Sequence, residues 1–272
     1  MFGKLYSMEV QHFSERRFYW KKDDVRIFKA PNFGQFMSRK RFESIVSNIQ
    51  FSSAENVDHQ ILEFVDAVNA CAQDAVDAGD VLLLDESMVK SFHKNLKGKM
   101  KIISKPRPIG NEFKNLCDGL SQIVLNLELY EGRDYMKDKE YVKEFGATTA
   151  TCLRLTEHWK NSGRVVVADS WFGSVKSAVK LYKINGLYSN MLVKTAFKEY
   201  PKSDVLSPPE NRGEWTSATA TMDQVQLLAV KFKDLKMKQF ISTCSASTDG
   251  PPRATKHCGL ITRPQVAYGM TI

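Results

Sequence analysis

The chain has 272 residues, of which 43% are hydrophobic and 26% are charged, and it carries a net charge of +8. These values are those of an ordinary globular protein with one large domain or two smaller ones. The basic excess favours a polyanionic partner, although a similar excess also occurs in proteins that never contact nucleic acid.

The cysteines and the apolar runs indicate the environment of the protein. Five cysteines are scattered without a CxxC pair, which is typical of free thiols in a reducing compartment. The sequence has no apolar run of about 18 residues or more, and its N-terminus lacks the apolar stretch of a signal peptide. We therefore expect a soluble, intracellular protein.

The first 75 residues are predicted to be largely helical. One helix begins near Ser38, a candidate N-cap, and a second covers about 58 to 78 and ends at Gly79. The apolar face of the first helix consists of Phe42, Ile45, Val46 and Ile49. Its first turn, Arg39–Arg41, is basic, and these positive charges interact unfavourably with the helix dipole. Either nucleic-acid phosphates or solvent would offset this unfavourable interaction.

A short apolar run at 81–84 leads directly into two adjacent carboxylates, Asp85 and Glu86. The run is too short for a typical helix and is typical of a buried strand. A carboxylate at the end of such a strand usually has a cation, a metal ion or backbone donors as its partner. The alternative is that the strand ends at the surface, where both acids are simply solvated.

A second β-branched run, 165–167, likewise ends at an aspartate, Asp169, and a helical pattern follows it. Ser174 is the candidate N-cap of that helix and Asn185-Gly186 its stop. Two aspartates at the ends of neighbouring strands would supply the oxygen ligands of a Mg²⁺ site for phosphoryl transfer. The spacing along the chain leaves open whether the two carboxylates meet.

Residues 90 to 107 contain seven Lys and Arg residues and no acid. Basic side chains that neutralise phosphates give affinity for nucleic acid without sequence specificity, so this segment is the strongest candidate for contact with a DNA backbone. The alternative is a mobile surface loop. The candidate contacts are Lys94, Lys97, Lys99, Lys101, Lys105 and Arg107.

The order of the remaining elements predicts the fold class. Two strands around the turn Asp118-Gly119 form a hairpin, and a helix, the Asp169 strand, another helix and a further strand follow. This order predicts an α/β (α+β) protein with an RNase H-like mixed sheet. We expect a helical region at 1–79, the RNase H-like core at 80–200, a small β-rich insertion at 201–260, and the start of a returning core segment at 261–272.

From about residue 17 to 268 the chain resembles the piggyBac transposase family, in particular the piggyBac transposable element-derived proteins. The order and spacing of several short motifs carry this resemblance. They are Met37–Arg39, Arg41–Glu43 with Ile45, Phe51-Ser52, Asp85–Met88, Lys105-Pro106 with Gly110, Phe113-Lys114, Leu116–Asp118, Tyr130–Gly132 and Val166–Ser174.

The resemblance implies an RNase H-like transposase with three catalytic aspartates and two metal ions, which cuts and joins double-stranded DNA at a TTAA target. By position, Asp85 would be the first catalytic acid and Asp169 the second, and both would bind Mg²⁺. The resemblance further implies a nuclear location, DNA contacts from Lys94 to Arg107, and a helical region for dimerisation and DNA binding that could form a homodimer.

The chain also departs from the family pattern. The family's third aspartate follows an Arg-Pro segment and a Tyr-Asn motif, which here would begin near Arg263-Pro264 and Tyr268, and the sequence ends before it. None of Asp223, Asp234 and Asp249 occupies that place. Asn usually follows the second aspartate, where this chain has Ser170, and the cysteine-rich C-terminal zinc domain is absent.

These departures predict a truncated or degraded transposase copy with impaired catalysis. One alternative is a domesticated DNA-binding or interaction protein without catalytic activity. Another is an unrelated RNase H-like nuclease, which would cleave RNA–DNA hybrids without preference for transposon ends.

Overall fold

The computed structural model describes residues 13, 15–21, 32–49, 57–90, 98–101, 109–194, 199–203 and 205–244, without the side chains of residues 57–60 and 90. The chain forms two compact units, Met1–Asn56 and Val57–Ile272. Among the described helices, none is both long enough and apolar enough to cross a membrane.

The first unit is organised around aromatic rings. Tyr19 stacks on Phe33 with ring centroids 5.5 Å apart, and Trp20 lies 5.1 Å from the fully buried Phe42. The helix predicted to begin at Ser38 does so, since the Ser38 hydroxyl accepts a hydrogen bond from the backbone of the first turn. The elements of this unit are two 3-10 helices, Arg16–Trp20 and Phe33–Gln35, and helix α1, Arg39–Ser47.

The second unit alternates strands and helices. Its described helices are α2 (Val57–Ala75), α3 (Arg133–Met136), α4 (Val142–Phe145), α5 (Ala147–Thr156) and α6 (Val175–Asn185), with a 3-10 helix at Glu157–Trp159. Its strands are β1 (Val81–Lys90), β2 (Met100–Lys101), β3 (Ile109–Asp118), β4 (Val124–Leu129), β5 (Val165–Ala168), β6 (Tyr188–Val193), β7 (Trp215–Met222), β8 (Val225–Lys233) and β9 (Met237–Ser242).

The nine described strands form one mixed sheet in the order β2-β3-β1-β5-β6-β9-β8-β7, with β4 also paired to β3. Strand β1 runs antiparallel to β3 and parallel to β5, and β5 runs parallel to β6. The predicted hairpin at Asp118-Gly119 and the mixed sheet with helices are confirmed. Strands β7 to β9, which the sequence places within 201–260, join this sheet through the antiparallel pairing of β9 with β6.

Helices α5 and α6 cover one face of the central strands because apolar side chains alternate toward that face. On β1 and β5 these side chains are Leu82, Leu84, Val166 and Ala168, all of them buried. They share one core cluster with residues of α5 and α6. Burying each leucine stabilises the fold by about 1.5–3 kcal/mol, which fixes which face of the two strands is turned inward.

Polar side chains fix the positions of the helices. The amide group of Asn185, at the end of α6, donates hydrogen bonds to the Leu153 carbonyl (2.9 Å) and the Thr156 hydroxyl (2.8 Å) of α5. On α2, the Asn69 side chain exchanges two hydrogen bonds with the backbone of Leu127 on β4, at 2.9 and 2.8 Å. Helix α2 therefore belongs to the same compact unit as the sheet.

Candidate active site

Strands β1 and β5 deliver Asp85 and Asp169 to equivalent positions. The two strands are parallel and in register, with Leu84 opposite Ala168, and each aspartate is the next residue along its strand. Neighbouring strands lie about 4.8 Å apart, so the two backbones bring the carboxylates side by side. Leu84 and Ala168 are buried whereas both aspartates are exposed. Asp169 directly follows β5, but Asp85 lies in the middle of β1, so the prediction that the first strand ends at Asp85 is wrong. The strand continues to Lys90 because its pairing with β3 extends that far.

Each carboxylate is held by a local backbone hydrogen bond. One oxygen of Asp85 (Oδ1) accepts from the Glu86 N–H at 2.8 Å, and Oδ1 of Asp169 accepts from the Trp171 N–H at 2.9 Å. Within the described part of the chain, neither acid forms an ion pair, and the second oxygen of each has no hydrogen-bond partner. This geometry leaves one oxygen of each carboxylate available for a ligand.

Strand β3 borders the Asp85 side of this site. Asn115 lies directly opposite Asp85 in the β1–β3 pairing, and its Oδ1 accepts a hydrogen bond from the Ser87 hydroxyl at 3.3 Å. Burial raises the pKa of the nearby Cys117 thiol, and the Asp85 carboxylate raises it further. Mg²⁺ prefers oxygen ligands to sulfur, so the aspartate oxygens are the better candidate ligands for such an ion.

The turn after Asp169 is closed tightly. The Gly173 N–H donates to the Asp169 carbonyl at 2.9 Å, and the Trp171 N–H holds the carboxylate of the same residue. A Cβ atom at Gly173 would collide with the backbone carbonyl of Leu192 on β6. Glycine is therefore required here because of close approach between the turn and the neighbouring strand.

Lys114 lies beneath this turn, on the opposite face of the sheet from Asp85. Its side chain is only 3% exposed, and its ammonium nitrogen lies 3.2 Å from a Glu112 oxygen and 3.3 Å from the ring centroid of Trp171. Glu86 is its partner in the β1–β3 pairing. Burial lowers the pKa of Lys114, and the negative charges of Glu112, Glu86 and Asp169 oppose that lowering.

Two carboxylates side by side are hard oxygen ligands of the kind that Mg²⁺ and Mn²⁺ prefer. The exposed position and the remaining oxygens fit such an ion. Among the described residues, no group of three or more His, Cys, Asp or Glu side chains could hold a metal ion. The described part of the chain therefore offers a pair of acids, to which water, a phosphate oxygen or a further residue would have to be added.

A family model for DDE-type transposases, described as Transposase IS4, matches residues 1–267. The chain belongs to the piggyBac-type transposase family. A solved structure of another member, a cryo-EM structure of a piggyBac transposase synaptic complex with hairpin DNA, is similar with a TM-score of 0.65 and 19% sequence identity. The likeness covers 93% of this chain and 52% of that chain, so this chain spans about half the length of its relative. No curated protein is significantly similar to the chain.

This similarity confirms the RNase H-like fold of the transposase family for the present chain. In the present chain the central strands of the sheet are β1 and β5, and Asp85 lies on β1 whereas Asp169 directly follows β5.

Two of the aspartates considered as a third family acid lie away from the Asp85–Asp169 pair. Asp223 lies in the turn between β7 and β8 and pairs with Lys180 at 3.6 Å, and Asp234, which follows β8, pairs with Arg212 at 3.1 Å. Strands β6 and β9 separate β8 from β5 in the sheet. Asp249, Arg263-Pro264 and Tyr268 lie outside the described residues.

Of the six candidate DNA contacts, the structure describes Lys99 and Lys101. Both are exposed, and Lys101 lies on β2, beside β3 at the end of the sheet. Lys94, Lys97, Lys105 and Arg107 lie outside the described residues, so their places relative to the aspartates stay a prediction.

Lys114 and Asn115 were not among the site residues predicted from the sequence. The signal for both was present, because a lysine and an asparagine interrupt the otherwise apolar Phe113–Cys117 stretch of a buried strand. A polar side chain in such a strand requires a partner. The ion-pair partner of Lys114, Glu112, lies two residues earlier on the same strand. Its aromatic partner, Trp171, lies more than fifty residues further along the chain, and nothing in the local sequence shows it.

Proposed function

We propose that this chain is a DNA-binding transposase core in which Asp85 and Asp169 together hold a divalent metal ion for cleavage and joining of DNA. The observation that supports this proposal is the register of β1 and β5, in which Leu84 lies opposite Ala168 and an aspartate follows each of them. A pair of exposed carboxylates with available oxygens is suited to bridging one ion.

The residues of the chain have distinct roles in this proposal. The backbone N–H groups of Glu86 and Trp171 orient the two carboxylates, and the second oxygen of each would be available to hold the ion. When bound, Mg²⁺ would make a water or a 3′ hydroxyl more nucleophilic and would stabilise the leaving oxygen. The protein contributes mainly by holding the reacting groups in place.

The proposed partner is double-stranded DNA. The net charge of +8 and the run of seven basic residues at 90–107 provide sequence-independent attraction to phosphates. The similar solved structure is a piggyBac transposase synaptic complex with hairpin DNA. From the family resemblance we further propose transposon ends and a TTAA target as the DNA, Mg²⁺ as the ion, the nucleus as the location, and a homodimer.

From the family resemblance we also propose a function for each region of the chain. Residues 1–79 would serve dimerisation and DNA binding, 80–200 catalysis, and 201–260 the β-rich insertion, with 261–272 returning to the core. Lys94 to Arg107 would contact the DNA backbone.

A second candidate function is DNA or protein binding without catalysis. The observation that favours it is that the described residues bring together two acids rather than a group of three. In that case the basic segment alone would carry the function.

Nicking of a supercoiled plasmid in Mg²⁺ or Mn²⁺ separates the two functions. Because the sequence predicts impaired catalysis, we expect weak metal-dependent nicking by the wild-type chain, and a further loss of about 100-fold or more in Asp85→Ala and in Asp169→Ala. The control is Asp134→Ala, since the Asp134 side chain is 91% exposed on α3. Binding to DNA without nicking, unchanged by Asp85→Ala and weakened by Lys94, Lys97 and Arg107 substitutions, would establish the second function instead.

A further inference from the structure

Lys114 is buried at a cost, and its surroundings indicate what it does there. Taking an ammonium group out of water is unfavourable, and a buried ion pair is weak as a source of stability. A side chain that is only 3% exposed is therefore expected to have a geometric role. Lys114 does not touch the Asp85–Asp169 pair, since it lies on the other face of the sheet, so this role is indirect.

The ring of Trp171 is the contact through which Lys114 acts. The Lys114 ammonium lies 3.3 Å from the centroid of that ring and 5.6 Å from the centroid of Phe172. The two rings meet edge to face at 4.6 Å. A desolvated cation over an indole ring is attracted to it by the ring's quadrupole, more strongly than at an exposed site. A Glu112 oxygen lies 3.2 Å from the same ammonium, so the ion pair and the ring contact together restrict where the ammonium can lie.

The backbone of Trp171 connects this contact to the site. Its N–H donates to Oδ1 of Asp169, and the turn closes at the next step when the Gly173 N–H donates to the Asp169 carbonyl. A shift of the indole ring therefore rotates the carboxylate and redirects its second oxygen.

We propose that Lys114 is a positioning residue, which holds Trp171 through a cation–π contact and thereby orients the Asp169 carboxylate toward the metal ion. The part of this inference that concerns the metal ion rests on the proposed function. The lysine–tryptophan contact and its effect on the turn are independent of that function.

The test uses the full chain and two measurements. The first is the affinity for Mn²⁺, followed by the electron paramagnetic resonance signal of the free ion. The second needs no metal and is the quenching of Trp171 fluorescence by acrylamide, obtained by subtracting the signal of Trp171→Phe. The variants are Lys114→Met, Lys114→Arg and Trp171→Leu.

The chain offers a matched control in Lys231. Its side chain is also buried, since the residue is 3% exposed, and its ammonium donates to the Leu206 carbonyl at 2.6 Å, on β8 and away from the site. Lys231→Met therefore measures what the loss of any buried lysine does to stability and to metal affinity.

We expect Lys114→Met to weaken Mn²⁺ binding about 10-fold, as is typical when a residue that supports a metal ligand is lost. Acrylamide should quench Trp171 more strongly in this variant. Lys114→Arg should keep the Mn²⁺ affinity and the quenching of Trp171 close to wild type, and Lys231→Met should change neither. In the double variant Lys114→Met/Trp171→Leu the two losses should not add, because both substitutions break the same contact.

Folded Lys114→Met with wild-type Mn²⁺ affinity and wild-type quenching would overturn the inference and leave the proposed function intact. If the wild-type chain binds no Mn²⁺, the proposed function fails, and unchanged quenching in Lys114→Met would then overturn the lysine–tryptophan contact as well. If Lys114→Met does not fold, the Mn²⁺ affinity of Trp171→Leu tests the inference instead, since this variant keeps the buried Lys114–Glu112 ion pair. Wild-type Mn²⁺ affinity in that variant would overturn the inference.

Discussion

The charged side chain of Asp118 contributes to the stability of the fold through hydrogen bonds to the backbone. Its carboxylate accepts hydrogen bonds from the Ser121 N–H and hydroxyl, both at 2.6 Å, and from the Gly79 N–H at 2.9 Å. These bonds close the β3–β4 hairpin and hold the start of β1. The Ser121 hydroxyl, followed by the Ser121 N–H, lowers the pKa of Asp118 to about 2 from a usual value of 3.8.

We expect Asp118→Asn to lower the free energy of unfolding by about 2 kcal/mol at neutral pH. Because the folded-state pKa lies below the unfolded value, this contribution is complete above about pH 4 and disappears as the pH falls through about 2. Urea denaturation at several pH values between 7 and 3 measures it. The control is Asp134→Asn, and a difference between Asp118→Asn and wild type that stays constant down to pH 3 would contradict the assignment.

At the scale of elements, the β5–α6 junction shows what the sequence could and could not reveal. The apolar run before Asp169 and the cap at Ser174 predicted a strand followed by a helix, and both are present. Local periodicity and capping chemistry are enough for that prediction. The register of β5 with β1, and the packing of Lys114 on Trp171, depend on contacts between distant segments. The sequence pattern therefore left open whether Asp85 and Asp169 meet.

Gly173→Ala tests how closely the turn after Asp169 must approach strand β6. The added methyl group would press against the Leu192 carbonyl, so we expect a loss of about 1–3 kcal/mol and weaker Mn²⁺ binding as the turn shifts. Ser174→Ala is the matched control. It removes the cap that accepts a hydrogen bond from the Ser177 N–H at 3.0 Å, and should cost about 1 kcal/mol with Mn²⁺ affinity unchanged.

Equal Mn²⁺ affinity in Gly173→Ala and wild type, at reduced stability, would show that the turn can move without disturbing Asp169. Parallel measurement of chemical denaturation and Mn²⁺ titration distinguishes this result from the expected one.

The excess of basic residues in the whole molecule predicts how its affinity for DNA depends on salt concentration. The net charge of +8 and the basic segment predict that affinity for duplex DNA falls steeply as salt concentration rises. We expect Lys99→Gln and Lys101→Gln each to weaken binding, and each to reduce the slope of log K against log salt by about 1. Fluorescence anisotropy with a labelled duplex measures both quantities.

The control for this prediction is Lys143→Gln, because the Lys143 side chain is 82% exposed but lies outside the basic segment. A slope that changes as much in Lys143→Gln as in the two segment variants would mean that the attraction comes from the overall charge.

An anomalous difference map from crystals of the chain soaked in Mn²⁺ would show whether Asp85 and Asp169 share a metal ion. We expect a peak between β1 and β5, about 2 Å from one oxygen of Asp85 and one oxygen of Asp169. That peak should be absent in Asp169→Asn crystals treated in the same way. A peak that contacts only one of these carboxylates, or that lies elsewhere on the sheet, would contradict the assignment of the pair as the metal site.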